Sequence, residues 1–251
     1  MGKEVQKINR YGLVGKNIEY SFSRYYFAEK FKKEKIENCS YENFDLDSIE
    51  RIKAILVKEN VKGLNVTIPY KESIINYLDR LSEDAKIIGA VNTVRFLEDG
   101  TTEGYNTDAH GFEAALLKKW NNHSKKALIL GTGGASKAIE YVLKKMNIEP
   151  IFVSRKPLKN QISYDQIDDS IMSTHLLIIN CTPIGTHPDL NKAPNIPYDL
   201  LTKDHFLFDL IYNPKKTLFL RKGIEIGCTT QNGLHMLEKQ AEKSWDIWTE
   251  I

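Results

Sequence analysis

The chain has 251 residues, of which 41% are hydrophobic, and this suits one large or two ordinary globular domains with a buried core. Its 35 basic and 33 acidic residues give a formal net charge of +2, so charge gives no reason to expect a nucleic acid or an anionic membrane as a partner. No run of aliphatic and aromatic residues exceeds four, which argues against a membrane-spanning helix.

Location and metal content can be predicted from the termini, cysteines and histidines. The first ten residues, MGKEVQKINR, contain no apolar stretch, so we expect no signal peptide. The three cysteines are far apart and include no Cys-x-x-Cys pair, which favours reduced thiols and a cytoplasmic location. The six histidines lack ligand spacing, so we expect no metal site.

The first part of the chain mixes short strands and helices. We predict a strand at 10–15, helices at about 24–33 and 48–59, a strand at 61–68, and a hairpin turning at Asp99-Gly100. In the stretch NVTIPYK, Val66, Ile68 and Tyr70 alternate with polar residues, and Thr67 and Lys71 share the polar face. Pro69 removes a backbone donor, so we expect the strand to end there.

The second part has the regular alternation of a parallel sheet. Strands are predicted at 126–131, 150–154, 175–180 and 205–212, and a final helix at about 233–249. A helix after the first of these strands carries one apolar stripe: Ala135, Ala138, Ile139, Val142, Leu143 and Met146. Strand–helix–strand units of this size predict a doubly wound α/β domain, and we divide the chain near residue 107.

A glycine-rich turn follows the strand at 126–131. Gly131, Gly133 and Gly134 stand at a strand-to-helix turn, where glycines let the backbone approach a pyrophosphate at the start of a helix. The spacing departs from G-x-G-x-x-G, since position 136 is Ser, and a plain turn is the alternative. The flanking strand and amphipathic helix favour dinucleotide binding.

The end of the next strand predicts which dinucleotide binds. An NAD site places an acidic residue there, whereas this chain has Ser154, Arg155 and Lys156. Arginine can bind a 2′-phosphate with two parallel hydrogen bonds, so NADP(H) is the predicted cofactor. A solvated basic turn is the alternative.

Several motifs together resemble those of the shikimate dehydrogenase family, in the family's order and over nearly the whole chain. They are Ser21-Phe-Ser23, NVTIPYK, GAVNT (89–93), YNTD (105–108), LGTGGAS, NCTPIG (180–185), DLIYNP (209–214) and NGLHMLEKQA (232–241). The resemblance implies an N-terminal α/β substrate domain at 1–107, a Rossmann NADP-binding domain at 108–237, and a C-terminal helix at 238–251 that returns to the first domain. It also implies reversible, NADPH-dependent reduction of 3-dehydroshikimate to shikimate, in chorismate and aromatic amino-acid biosynthesis.

Candidate site residues follow from the motifs and the resemblance. The substrate candidates are Ser21, Ser23, Thr67, Lys71, Asn92, Asp108, Tyr212 and Gln240, with Lys71 and Asp108 catalytic. The cofactor candidates are Gly131, Thr132, Gly133, Gly134, Ala135, Ser154, Arg155, Lys156, Leu210 and Gly233.

For some of these residues the sequence leaves a structural alternative. Ser21 and Ser23, two apart in an extended segment, would point two hydroxyls at a carboxylate, although Ser23 could simply cap the following helix. Asn92 could be a turn residue and Asp108 a helix N-cap. Tyr212, taken to end a strand, could lie at the edge of the core, and Gln240 could lie on a solvated face.

Lys71 is expected to stabilise charge on the oxygen that changes between carbonyl and alcohol, and Asp108 to orient it. Two other functions stay open: a quinate/shikimate dehydrogenase able to use NAD, and a non-catalytic NADP-binding sensor. The partner expected is a small molecule, and the chain a monomer or homodimer.

Overall fold

The computed structural model describes residues 8–19, 21–121 and 124–250. It divides into two compact units, the first formed by 1–107 with 241–251 and the second by 108–240. Most of the N-terminal segment considered for a signal peptide lies outside the described residues. Within those residues, no helix combines the length and the apolar character needed to cross a bilayer.

The first unit contains a six-stranded mixed sheet. Its strands are β1 (Asn9–Gly15), β2 (Cys39–Asp45), β3 (Val61–Val66), β4 (Arg80–Leu81), β5 (Thr93–Phe96) and β6 (Thr102–Tyr105), in the spatial order β2-β1-β3-β5-β6-β4. Its helices are α1 (Phe22–Glu34), α2 (Lys53–Leu56) and α3 (Glu83–Ile88), with 3-10 turns at Ile49–Ile52 and Ser73–Tyr77. β1 pairs in parallel with β2 and β3, and β5 and β6 form the predicted antiparallel hairpin.

Two predictions for this unit were wrong in detail. The helix predicted at 48–59 is a 3-10 turn followed by one α-helical turn, and it ends at Leu56. The strand predicted at 61–68 ends at Val66, and Ile68 is 75% exposed. The chain turns there, because the Tyr70 N–H donates to the Thr67 carbonyl at 2.9 Å, and this turn breaks the alternation that would have buried Ile68.

An aromatic core fills one side of the first sheet. Tyr11 of β1 lies 5.2 Å from Trp245 and 5.0 Å from Trp248, measured between ring centroids, and Phe27 of α1 stacks on Tyr41 at 4.5 Å. Such ring pairs contribute stability beyond the area that they bury. The two tryptophans belong to the C-terminal helix, so residues 241–249 are part of the core of the first unit.

The second unit contains a six-stranded, wholly parallel sheet. Its strands are β7 (Lys126–Leu130), β8 (Glu149–Val153), β9 (Gln161–Ile162), β10 (Leu177–Asn180), β11 (Phe206–Asp209) and β12 (Thr229–Gln231), in the order β12-β11-β10-β7-β8-β9. Its helices are α4 (Thr107–Leu117), α5 (Gly134–Lys145), α6 (Asp169–Thr174), α7 (Leu218–Ile226) and α8 (Leu234–Thr249), with 3-10 turns at Tyr164–Gln166 and Tyr198–Leu200. α4 begins in the first unit, and α8 continues into it.

The sequence pattern correctly predicted most of these elements. The stripe on α5 is confirmed for Ala138, Ile139, Val142 and Leu143, which are buried, whereas Ala135 is only partly buried and Met146 follows the end of the helix. The strand predicted at 205–212 is shorter, since β11 ends at Asp209 and Tyr212 lies in the loop beyond it. The Asp209 carboxylate accepts the Ile211 N–H at 3.0 Å and turns the chain away from the sheet.

One glycine of the first unit leaves room for a tryptophan, and this gives a prediction for stability. A Cβ at Gly63 would lie 2.3 Å from Trp248, so we expect Gly63→Ala to lower the free energy of unfolding by about 1–3 kcal/mol through overpacking. Urea unfolding would measure the change. Lys62→Thr, at the exposed neighbouring position on β3, is the matched control, and an equal loss in both variants would contradict the explanation.

Candidate active-site residues

Three candidate residues lie together at one end of the first sheet. The Val66 N–H donates to the Asn92 carbonyl at 2.8 Å, and the Val91 N–H donates to the Lys71 carbonyl at 2.7 Å. Thr67 directly follows Val66. These backbone bonds bring Thr67, Lys71 and Asn92 close together although 25 positions separate the first from the last. Lys71 and Thr67 are partly exposed at this end of the sheet.

The Asn92 side chain is a fixed part of the interior rather than of a solvated turn. It is 3% exposed, and its Oδ1 accepts the Thr107 backbone N–H at 2.7 Å and the Thr107 hydroxyl at 3.1 Å. A buried amide needs such partners, because an unpaired polar group in the interior is destabilising. An amide side chain accepts through its oxygen and donates through its NH₂ group, so both ends of Asn92 have defined roles.

A buried polar network surrounds this amide. The Asn65 Nδ2 donates to the Ser244 hydroxyl at 2.9 Å, and the Ser244 hydroxyl bonds to Thr93 at 2.8 Å and to Thr107 at 3.1 Å. All four residues are less than 5% exposed. The network joins β3, β5, the first residue of α4 and the C-terminal helix, and sequence reasoning singled out none of these four residues.

Ser21 and Ser23 are not on one extended face, so that premise was wrong. Ser21 is the N-cap of α1, with its side chain accepting the Arg24 N–H at 3.3 Å, and Ser23 lies in the first helical turn. The alternative also named the wrong residue as the cap. Ser23 is buried and donates to the Tyr41 hydroxyl, whose own proton goes to Asn65 Oδ1 at 2.8 Å.

Asp108 lies inside the first turn of α4 and is 6% exposed. The helix begins one residue earlier, at Thr107, so Asp108 is not the N-cap that the alternative suggested. The interactions of Asn92 with Thr107 fix the backbone directly before this carboxylate. A carboxylate near a helix N-terminus is also favoured by the helix dipole.

The glycine turn of the second unit has the backbone that a pyrophosphate requires. Gly131 has φ +101°, in the left-handed region, and a Cβ there would lie 2.9 Å from Thr182. Gly133 is the N-cap of α5 and makes no side-chain cap, and open space lies where its Cβ would be. The first turn of α5 contains no acidic residue. Together with Thr132, Gly134 and Ala135, this turn therefore fits an anion at a helix N-terminus.

The basic turn after β8 fits the additional phosphate of NADP. Arg155 and Lys156 are exposed, and the Lys156 N–H donates to the Ser154 hydroxyl at 3.2 Å, which holds the turn in place. Within the part of the chain that the structure describes, no carboxylate forms an ion pair with either cation. Both are therefore available to a 2′-phosphate.

Two predicted cofactor residues touch each other in the second unit. A Cβ on Gly233 would lie 2.0 Å from the Leu210 carbonyl oxygen, and the Gly233 N–H donates to the Ile211 carbonyl at 3.1 Å. Close backbone packing therefore requires glycine at 233 whether or not a ligand contacts it. Tyr212 follows in the same loop and is partly buried, and burial raises the pKa of its hydroxyl.

Gln240 is buried, so the solvated face suggested for it was wrong. It is 7% exposed, and its Nε2 donates to the Leu237 carbonyl at 2.9 Å. α4 crosses α8 here at Gly111, where a Cβ would lie 2.5 Å from the Met236 carbonyl and 3.0 Å from the Gln240 Cβ. The absence of a side chain at Gly111 sets how closely the two helices pack and thereby fixes Gln240.

A buried carboxylate organises the loops that carry the candidates of the second unit. Asp209 accepts from the Asn180 amide at 3.0 Å, the Ile211 N–H at 3.0 Å and the Thr217 hydroxyl at 2.6 Å. These partners stand at the end of β10, in the loop with Leu210 and Tyr212, and at the N-cap of α7. Burial raises the pKa of Asp209 to about 6, against the effect of these three donors.

This carboxylate gives a prediction with a definite sign. Between pH 4 and 6 the folded protein retains a proton on Asp209 that the unfolded chain releases, so stability from this group is present at low pH and is lost as the pH rises through 6. Comparing wild type with Asp209→Asn by urea unfolding, we expect the difference in unfolding free energy to change by about 2 kcal/mol from pH 4 to pH 7. The exposed Asp165→Asn is the control, and a pH-independent difference for Asp209→Asn would contradict the prediction.

Comparison with known proteins relates both units to one family. The sequence-family model for the shikimate dehydrogenase substrate binding domain matches residues 13–94 of this chain. A shikimate dehydrogenase (NADP(+)) from Methanosphaera stadtmanae is 38% identical over 95% of this chain and 90% of the relative.

Two solved structures show the same fold. Shikimate 5-dehydrogenase from Thermus thermophilus, in complex with NADP(H) and shikimate, has a TM-score of 0.86 at 30% identity, over 97% of this chain and 94% of that one. Quinate dehydrogenase from Corynebacterium glutamicum, in complex with NAD, also has a TM-score of 0.86, at 25% identity, over 98% and 95%. The fold predicted from the sequence, an N-terminal α/β substrate domain followed by a Rossmann domain, is confirmed, and the chain belongs to the shikimate dehydrogenase family.

Proposed function

We propose that this protein catalyses the NADPH-dependent, reversible reduction of 3-dehydroshikimate to shikimate, a step toward chorismate and the aromatic amino acids. The observation that carries the proposal is the fixed polar end of the first sheet, where Thr67, Lys71 and Asn92 lie together in a family member. The glycine turn and the basic turn of the second unit supply a matching site for the cofactor.

NADP(H) is the cofactor that the second unit suits. The pyrophosphate would be held by the glycine turn, which consists of Gly131, Thr132, Gly133, Gly134 and Ala135. The 2′-phosphate would be bound by Ser154, Arg155 and Lys156, and the nicotinamide end would lie against Leu210 and Gly233. When bound, the reduced cofactor supplies the hydride for the carbonyl carbon. The protein's part is to bind and orient both reactants and to move the proton.

The substrate candidates supply groups of the right chemistry for a carboxylated, hydroxylated ring. The Ser21 oxygen accepts a backbone N–H, so its hydroxyl proton can donate to the carboxylate, and Ser23 would assist by rotating away from Tyr41. Thr67, Asn92, Tyr212 and Gln240 are proposed to bind ring oxygens. Each is held by its backbone or by neighbouring groups, which favours a preorganised site.

Lys71 is proposed to donate the proton. As hydride reaches the carbonyl carbon, negative charge develops on the oxygen, and an ammonium group there both stabilises the charge and transfers a proton. In the reverse direction the same nitrogen removes the proton from the alcohol. Asp108 is the proposed second catalytic residue, because a carboxylate can hold a lysine in position and accept from a ring hydroxyl.

The similarity to a quinate dehydrogenase in complex with NAD makes quinate with NAD the alternative pair of substrate and cofactor. A quinate enzyme using NAD would be expected to place an acid after β8, where this chain has Arg155 and Lys156. The basic turn therefore favours NADP(H).

We also infer a cytoplasmic location, because all three cysteines are free thiols, and we expect a monomer or a homodimer.

The cofactor assignment is tested by Arg155→Ala. Loss of charge-assisted hydrogen bonds should weaken NADP(H) binding about 10- to 100-fold and leave NAD(H) binding nearly unchanged, because only the former has the 2′-phosphate. Fluorescence titration of both reduced cofactors would measure this. Arg221→Ala, at an exposed arginine of α7, serves as the control, and equal losses for both cofactors in Arg155→Ala would refute the assignment.

The catalytic role of Lys71 is tested by Lys71→Met. We expect kcat for NADP⁺ reduction by shikimate to fall about 10²- to 10⁴-fold while NADPH still binds, since the loss concerns the transition state. Lys62→Met, at an exposed position on β3, should keep normal turnover. Asp108→Ala should lower kcat and raise the KM for shikimate. A folded Lys71→Met variant with near-normal kcat would exclude the mechanism.

A further inference from the structure

A basic cavity lies within the second unit, apart from the glycine turn. Its volume is about 410 Å³. Four lysines line it: Lys118, Lys119, Lys215 and Lys216. The first pair follows α4, the second pair follows β11, and residues at the start of α8 complete the wall.

Positive charge is concentrated in this cavity. One acidic residue, Glu238, faces the four lysines, and its carboxylate lies 3.7 Å from His235 Nδ1. Four lysines against one glutamate leave three positive charges, more than the net charge of +2 on the whole chain. Like charges in a concave site repel one another and focus a positive potential, and an anion relieves that repulsion. The start of α8 adds the partial positive charge of a helix N-terminus.

The remaining lining describes the kind of anion that would fit. Leu220, Ile224 and Leu234 provide an apolar wall, and the Asn232 amide provides a polar group beside the lysines. Lys119 is already oriented, because its Nζ donates to the Thr230 carbonyl at 2.9 Å. Ammonium groups beside an apolar wall suit a phosphate attached to a small organic body.

The position in the sheet separates this cavity from the glycine turn, where the pyrophosphate of the cofactor is proposed to bind. The cavity lies beside the edge strand β12, whereas the glycine turn follows β7, three strands away in the order β12-β11-β10-β7. Three strand spacings correspond to about 14 Å. We propose that this cavity is a second anion site, which binds a small phosphate-bearing organic molecule while the cofactor occupies the glycine turn.

The test is calorimetric titration of phenyl phosphate into the protein saturated with NADP⁺, so that the glycine turn is already filled. We expect one saturable site in the wild type and a loss of affinity of at least about tenfold in the double variant Lys215→Gln/Lys216→Gln. The control is Lys32→Gln/Lys33→Gln, two adjacent lysines in the last turn of α1, which should bind like wild type.

Two further arms make the outcome decisive. Inorganic phosphate should bind about tenfold more weakly than phenyl phosphate, because it has no apolar group to pack on the apolar wall, and equal affinity would overturn the organic part of the proposal. Binding should also weaken as salt rises, since exposed charges are screened. Absence of binding to the NADP⁺-saturated protein, or equal losses in both double variants, would overturn the site itself.

Discussion

The hydrogen bonds of Asn92 are the constraint on which the first unit depends. Its amide oxygen holds the start of α4, while its backbone carbonyl accepts the Val66 N–H next to Thr67. One buried residue thus fixes the ends of two chain segments that carry candidate side chains. The Ser244 hydroxyl extends the same network to the C-terminal helix. Buried networks of this kind specify one arrangement, because each unpaired group would be destabilising.

In the second unit, a buried carboxylate holds the loops in the way that the Asn92 amide does in the first unit. Asp209 ties the end of β10, the loop of Leu210 and Tyr212, and the N-cap of α7 to one carboxylate. Close backbone packing also holds this unit in place, since Gly233 packs against Leu210 and Gly111 packs against α8. In both units, therefore, buried hydrogen bonds and close backbone packing hold the loops that would carry the reaction, and the proposed chemistry relies on their rigidity.

The sequence predicted the fold well because hydrophobic periodicity is a local signal. The stripe on α5 and the hairpin at Asp99-Gly100 need only neighbouring residues to be recognised. The predictions that failed depended on turns or on partners distant in the chain. Ile68 was predicted to lie in a strand, because the alternation of polar and apolar residues does not reveal the turn that exposes it. Ser23 was predicted to lie in an extended segment, but α1 starts one residue before it.

Much of the candidate site was recognised from family motifs, yet its supporting residues were not. Asn65 and Ser244 are 179 positions apart, and only the folded chain shows that they bond. The lysines of the basic cavity are likewise ordinary surface residues in the sequence, and they form one site only when the segments after α4 and β11 come together in the folded chain. Local patterns cannot reveal such groupings, because tertiary contacts create them.

Steady-state kinetics of the wild-type protein test the identity of both the substrate and the cofactor. Initial rates of cofactor reduction would be measured with shikimate and with quinate, each with NADP⁺ and with NAD⁺. We expect kcat/KM to be highest for shikimate with NADP⁺, because Arg155 and Lys156 follow β8 where an NAD site has an acid. A higher kcat/KM for quinate with NAD⁺, or no turnover with any pair, would contradict it.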